Sequence, residues 1–142
     1  MVIYYMKNKK LNSDNNYNNK IDNIIKNSAI DAANIEKVGA AFLSFGYSTF
    51  IPASDIDILE ALDKNNTGVT SFNILAFGQK FTALGYLLLY IAASKRLYEK
   101  TLANSYGDEN NNLLSFQIIR NSYIGSFIVN YLRLIEFTKE EN

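Results

Sequence analysis

Carboxylates, lysines and tyrosines are the side chains with which this chain could do chemistry, because it contains neither cysteine nor histidine. That removes thiolate nucleophiles, imidazole bases, disulfides and zinc sites. Acid–base work with the remaining groups needs carboxylates that converge across a fold, or a glycine-rich loop that cradles phosphate, and no nucleotide-loop motif occurs. The expectation is a protein that is not an enzyme and carries no cofactor. Lysine plus arginine and aspartate plus glutamate each number 14. The balance gives no basic surplus for nucleic acid and no acidic surplus for a basic partner, so electrostatics names no partner. Self-association or a protein partner is expected from the helix stripes of the chain, with a membrane also open.

The elements that would position any site come next. A length of 142 residues is about one domain. The apolar run Val2 to Met6 precedes Lys7, Lys9 and Lys10, whereas a secretory signal has its basic region first and a longer apolar region. No cleaved signal peptide is expected, and the expected location is the cytoplasm or the cytoplasmic face of a membrane. Lys7 to Asn19 is Asn/Lys/Asp/Ser with little to bury, which predicts a mobile tail over 1–19 ahead of one helical domain over 20–142. Ile21, Ile24 and Ile25 have helical spacing, so a short helix is expected from Lys20 toward Ala33, with room for a break at Asn27 and Ser28.

The strongest pattern is an internal repeat offset by 39 residues: Asn34, Ile35, Gly39, Phe42, Gly46, Tyr47 and Ala53 recur as Asn73, Ile74, Gly78, Phe81, Gly85, Tyr86 and Ala92. Each copy carries two stripes. Ile35, Val38, Phe42 and Phe45, and likewise Ile74, Phe77, Phe81, Leu84, Leu88 and Ile91, step by three and four as an a/d-type seam. Beside it Gly39, Gly46 and Ala53, and Gly78, Gly85 and Ala92, step by seven. A mid-helix glycine costs about 1 kcal/mol against alanine, so four in register imply a compensating close approach of another helix. The units Ile35-x3-Gly39-x2-Phe42-x3-Gly46 and Ile74-x3-Gly78-x2-Phe81-x3-Gly85 resemble the Gly-x6-Gly helical units of small uncharacterised proteins of Gram-positive bacteria, over about 60 residues when both copies count. That group has no established activity to carry over.

Pro52 disfavours helix at Ile51 and should end the first unit. Ser54 then caps a short segment to Lys64, with Asp55, Asp57, Glu60 and Asp63 toward water. Thr70 or Ser71 should cap a long helix to about Lys100, and a last helix should run from Leu113 to about Phe137. The fold class is all-α: three principal helices plus short ones.

Asp63-Lys-Asn-Asn-Thr-Gly68-Val-Thr-Ser71 resembles the first half of an EF-hand calcium loop, a resemblance that implies Asp63, Asn65 and Thr67 at the first three ligand positions. Ile74 stands where the closing glutamate should be, so the expectation is a turn and no tight metal site. Phe72 to Ala93 is the best membrane candidate, about 33 Å of helix, although Lys80 brings its insertion balance near zero. In the last helix Arg120, Asn121 and Asn130 oppose lipid exposure. The expected role is structural or interaction-based, by helix–helix association, with a small integral or peripheral membrane protein of immunity or accessory type as the alternative.

Overall fold

A computed structural model describes residues 2–107 and 110–140, with side chains from Tyr17 onward, as an all-α fold. Its elements are α1 (Val2–Ser48), α2 (Phe50–Ala61), α3 (Ser71–Tyr106) and α4 (Leu113–Glu140). α3 is the central helix, in contact with each of the other three. α1 and α4 pack along its two sides, α2 packs on it as well, and α1 and α4 make no close backbone approach to each other among the described residues.

Both long pairings are antiparallel. On one side Gly39 meets Gly85 and Gly46 meets Gly78. On the other Phe72 lies against Phe137, ring centroids 6.1 Å apart, and Gln79 bonds Asn130. Each step of seven up one helix is a step of seven down its neighbour, which keeps one narrow line of each helix in contact.

Several boundaries differ from those the sequence predicts. A tail without structure of its own was expected over 1–19 and a short helix from Lys20, with or without a break at Asn27 and Ser28; the backbone is one helix from Val2 to Ser48. Docking of this half of α1 on the far half of α3 accounts for its described part: Tyr17 packs edge-on to Tyr106 at 6.3 Å, Asp31 pairs with Lys95 at 3.0 Å, and Glu36 takes both Nε and Nη2 of Arg96 at 2.6 Å. A polar sequence is thus held helical by tertiary contact.

Only Thr49 separates α1 from α2, and Pro52 sits in the first turn of α2, where its missing N–H has no helical partner to lose. Ser54 is therefore inside the helix, its hydroxyl donating to the Phe50 carbonyl at 2.8 Å, and does not cap it. α3 starts as expected. The Thr70 hydroxyl accepts from the Asn73 amide at 3.2 Å, and the Asn73 side chain accepts from the Thr70 amide at 2.9 Å.

Candidate functional site: a seam of small residues between helices

The residue types at the α1–α3 contact fix how closely the helices approach. An ideal Cβ placed on Gly46 would lie 2.8 Å from the Gly78 carbonyl oxygen and the Thr82 amide nitrogen. One placed on Gly78 would lie 2.9 Å from the Gly46 oxygen, and one on Gly85 would lie 2.9 Å from the Gly39 oxygen and 2.8 Å from Leu43. At Gly39 the nearest atoms, the Gly85 oxygen and the Leu89 side chain, stand at 3.1 and 3.2 Å. The Thr82 hydroxyl lies nearest the Gly46 position and the Thr49 hydroxyl nearest Gly78, so backbone and these two small side chains fill the seam and leave no room for a further Cβ.

The same line continues beyond the glycines. Ala53 and Ser71 border one crevice at the upper end, and the register places Ala32 against Ala92 at the lower end, both fully buried. Thr49 stays in the seam by turning its hydroxyl back to the Gly46 carbonyl at 2.8 Å.

Near the centre of the crossing, two pairs related by the 39-residue offset meet. Phe42 packs edge-on to Phe81 at 5.8 Å and Tyr47 bonds Tyr86 through their hydroxyls at 3.1 Å. The a/d-type apolar stripe, expected as the contact line, is instead a flank beside it. Phe45 and Phe77 join Phe81 at 4.7 and 5.2 Å, yet are 47% and 50% exposed. Glycine explains the exchange, because the line that permits the closest approach becomes the axis of contact and pushes the larger side chains to its rim.

The second seam is polar at its centre. The Gln79 amide donates to the Asn130 carbonyl oxygen at 3.0 Å and to its Oδ1 at 2.8 Å, and Asn130 in turn donates to the Ser126 carbonyl at 2.8 Å. Both residues are buried, so this carboxamide pair fixes the α3–α4 register: a slip by one residue would strand it.

The loop that resembles an EF-hand is a capping device. Asn65 Oδ1 accepts from the Thr67 amide and hydroxyl at 3.1 and 2.6 Å, and Asp63 ends the helix at φ 54°. Glu60, expected to face water, turns to the start of α3. Its carboxylate accepts from the Ser71 amide at 3.1 Å and the Ser71 hydroxyl at 2.9 Å. An anion at a helix N-terminus is favourable there, and nothing in the local pattern signals a partner eleven residues on. Asn65 also donates from Nδ2 to the Glu60 carboxylate at 3.3 Å, and among the described residues no group of three Asp or Glu side chains is placed to hold a metal ion.

Lys80, on the membrane candidate, is exposed, and Arg120 donates to Asn121 Oδ1 from Nε at 3.2 Å and from Nη2 at 3.1 Å. Among the described residues α3 is one helix long and apolar enough to cross a membrane. The crevice between α1 and α4, floored by Ala93 and walled by Glu36, Arg96 and Tyr123, holds about 220 Å³, below the roughly 300 Å³ at which small-molecule pockets begin.

Known protein families, curated proteins and solved structures give no match to this chain. Its contacts alone carry the functional reading.

Proposed function

We infer that this is a non-enzymatic structural or interaction protein of the cytoplasm that acts by helix–helix association, its outer faces binding a protein partner or further copies of itself. One observation carries this reading: the core is built from the smallest apolar residues and the large ones stand outside. Among the described residues the buried apolar ones are Ala32, Ala53, Ala76, Ala83, Ala92, Ala93, Ala103 and a single larger one, Leu89. Ile51, Leu84, Ile91, Leu114, Ile118 and Leu132 are all exposed. Large apolar side chains left outside in this number point to a binding face. The glycine seam is satisfied within the chain, so association falls to the remaining faces.

A second reading, a membrane-associated protein, is favoured by α3 alone, whose apolar window is only 39% buried. Fractionation separates the two. Chain recovered without detergent, eluting above its 16.1 kDa monomer mass, is the expected result. Chain that resists alkaline carbonate and needs detergent to leave the membrane would overturn the first reading in favour of the second.

A further inference from the structure

We propose that the outer face of α4 is the docking surface for a second copy of this chain, a step that rests on the association reading above. α4 touches α3 along one seven-residue line, Phe116, Tyr123, Asn130 and Phe137, through Gln79 and Phe72 among others. On the opposite side of the same helix stands a second line in alternating steps of four and three: Leu114, Ile118, Asn121, Gly125, Ile128, Leu132. If the α3-facing line is the f position of a heptad, these six are its a and d positions, the seam of a coiled coil. Leu114, Ile118, Ile128 and Leu132 are between 52% and 62% exposed.

Gly125 sharpens the point. The glycines inside the α1–α3 seam each meet a neighbouring helix, whereas a Cβ on Gly125 would meet nothing within 4 Å. A mid-helix glycine in open space has only its cost, and a helix pressed against it from a second chain would give it the same role as Gly46. Val129 and Tyr131, both about half exposed, widen the strip. Six seam positions span about 27 Å of helix, and extending the line to Ile135 gives about 32 Å. Half the circumference of a helix about 11 Å across over that length is about 550 Å² per chain, or about 1,100 Å² for two, which clears the roughly 1,000 Å² of a specific interface.

The occupant is a second copy rather than lipid. Asn121 lies mid-line with the Arg120 guanidinium bonded to it, and hydrocarbon offers neither group a partner. No seam position is itself charged, and the one charge beside the line, Arg120, is held on Asn121. Among the described residues α4 packs on α3 alone. A second α4 laid on it continues the sequence of helices already in place, with the same seven-residue repeat.

The chain has no cysteine, so single-cysteine variants report cleanly. Light scattering of the native chain should give twice the monomer mass. The double variant Ile118→Glu with Ile128→Glu, which leaves the α3-facing line untouched, should keep its helical circular dichroism and raise the dimer dissociation constant at least about a hundredfold. Asn121→Cys or Gly125→Cys should form an interchain disulfide under mild oxidation. A native dimer whose mass and dissociation constant the double variant leaves unchanged would sink the α4 face while leaving association intact. A native monomer at about 100 μM would sink both.

Discussion

Gly46→Ala is the substitution that most directly tests why the core is made of small residues. The added Cβ would sit 2.8 Å from two backbone atoms of α3, the Gly78 oxygen and the Thr82 nitrogen. Ordinary contact begins near 3.5 Å, so the helices must part by about 0.7 Å. A gap of that size forfeits a quarter to a half of each dispersion contact it opens, and with about 20 contacts of 0.1–0.2 kcal/mol at the crossing the loss is about 1 kcal/mol. Strain from imperfect separation brings the cost of overpacking to about 2 kcal/mol. Better helix propensity returns about 1 kcal/mol. The net expectation is a destabilisation of about 1 kcal/mol, a fall of about 3 °C in melting temperature for a chain of this length. Gly39→Ala supplies the contrast. Its Cβ would stand 3.1 Å from one oxygen and otherwise against the movable Leu89 side chain, so a shift of a few tenths of an ångström accommodates it and the change should be near neutral. Urea titrations with unchanged m-values, at matched low concentration, measure both. Gly46→Ala as stable as the native chain, or more so, would refute the close-approach argument.

The α3–α4 carboxamide pair gives a second test. Gln79→Leu should cost about 1–3 kcal/mol by stranding Asn130, and Gln79→Leu with Asn130→Leu should recover most of it, read as a coupling energy in a double-mutant cycle. Glu60→Ala should cost about 1 kcal/mol and speed amide exchange at Ser71, with Glu60→Gln intermediate because it keeps an acceptor without the charge. Arg96, bonded to Glu36, holds that carboxyl below its usual value of 4.5. The folded value lies under the unfolded one, so the contribution is present above the unfolded value and is lost as pH falls through the folded one. Both side chains are about a third exposed, which keeps it under about 1 kcal/mol. The gap in melting temperature between the native chain and Glu36→Gln should therefore narrow as pH falls below 4.5 and close once it passes the lowered folded value. Finally, the native melting temperature should rise with protein concentration, as mass action requires of a self-associating chain, and the rise should vanish in the double variant Ile118→Glu with Ile128→Glu.

The all-α class and the place of the close approach were legible because glycine in the middle of a helix is costly, and its seven-residue spacing states which line of the helix must be covered. The Thr70 start of α3 was legible for a similar reason, since a capping hydroxyl and its reciprocal Asn73 are three residues apart in the chain. What the sequence hid is interaction between residues distant in the chain. Glu60 looks like one more solvent carboxylate of α2, and only the turn of the chain through Asn65 and Thr67 brings it to Ser71. Gln79 and Asn130 each look like a polar residue misplaced in an apolar helix until the antiparallel register puts them together. The helix over 2–19 was hidden because composition speaks only for a segment alone, and here α1 continues from a region docked on α3.

The position of the large apolar residues then decides what the fold needs. Each buried alanine gains about 0.8 kcal/mol for its methyl, so seven of them with Leu89 give about 8 kcal/mol of burial. The exposed side chains of Leu84, Ile91, Leu114, Ile118, Ile128, Val129 and Leu132 are each about half out of the core and retain about 1 kcal/mol apiece, as do Phe45 on α1 and Phe77 on α3. Several kcal/mol of apolar free energy are therefore left on the surface. A compact bundle would have removed it by closing α1 onto α4, but both pack instead on α3 and make no close backbone approach to each other among the described residues. Glycine explains that choice too. A helix held this close cannot roll its bulky flank inward without giving up the approach of Gly39 to Gly85, where a Cβ on Gly39 would stand only 3.1 Å from the Gly85 oxygen, so the flank stays outside for another surface to cover.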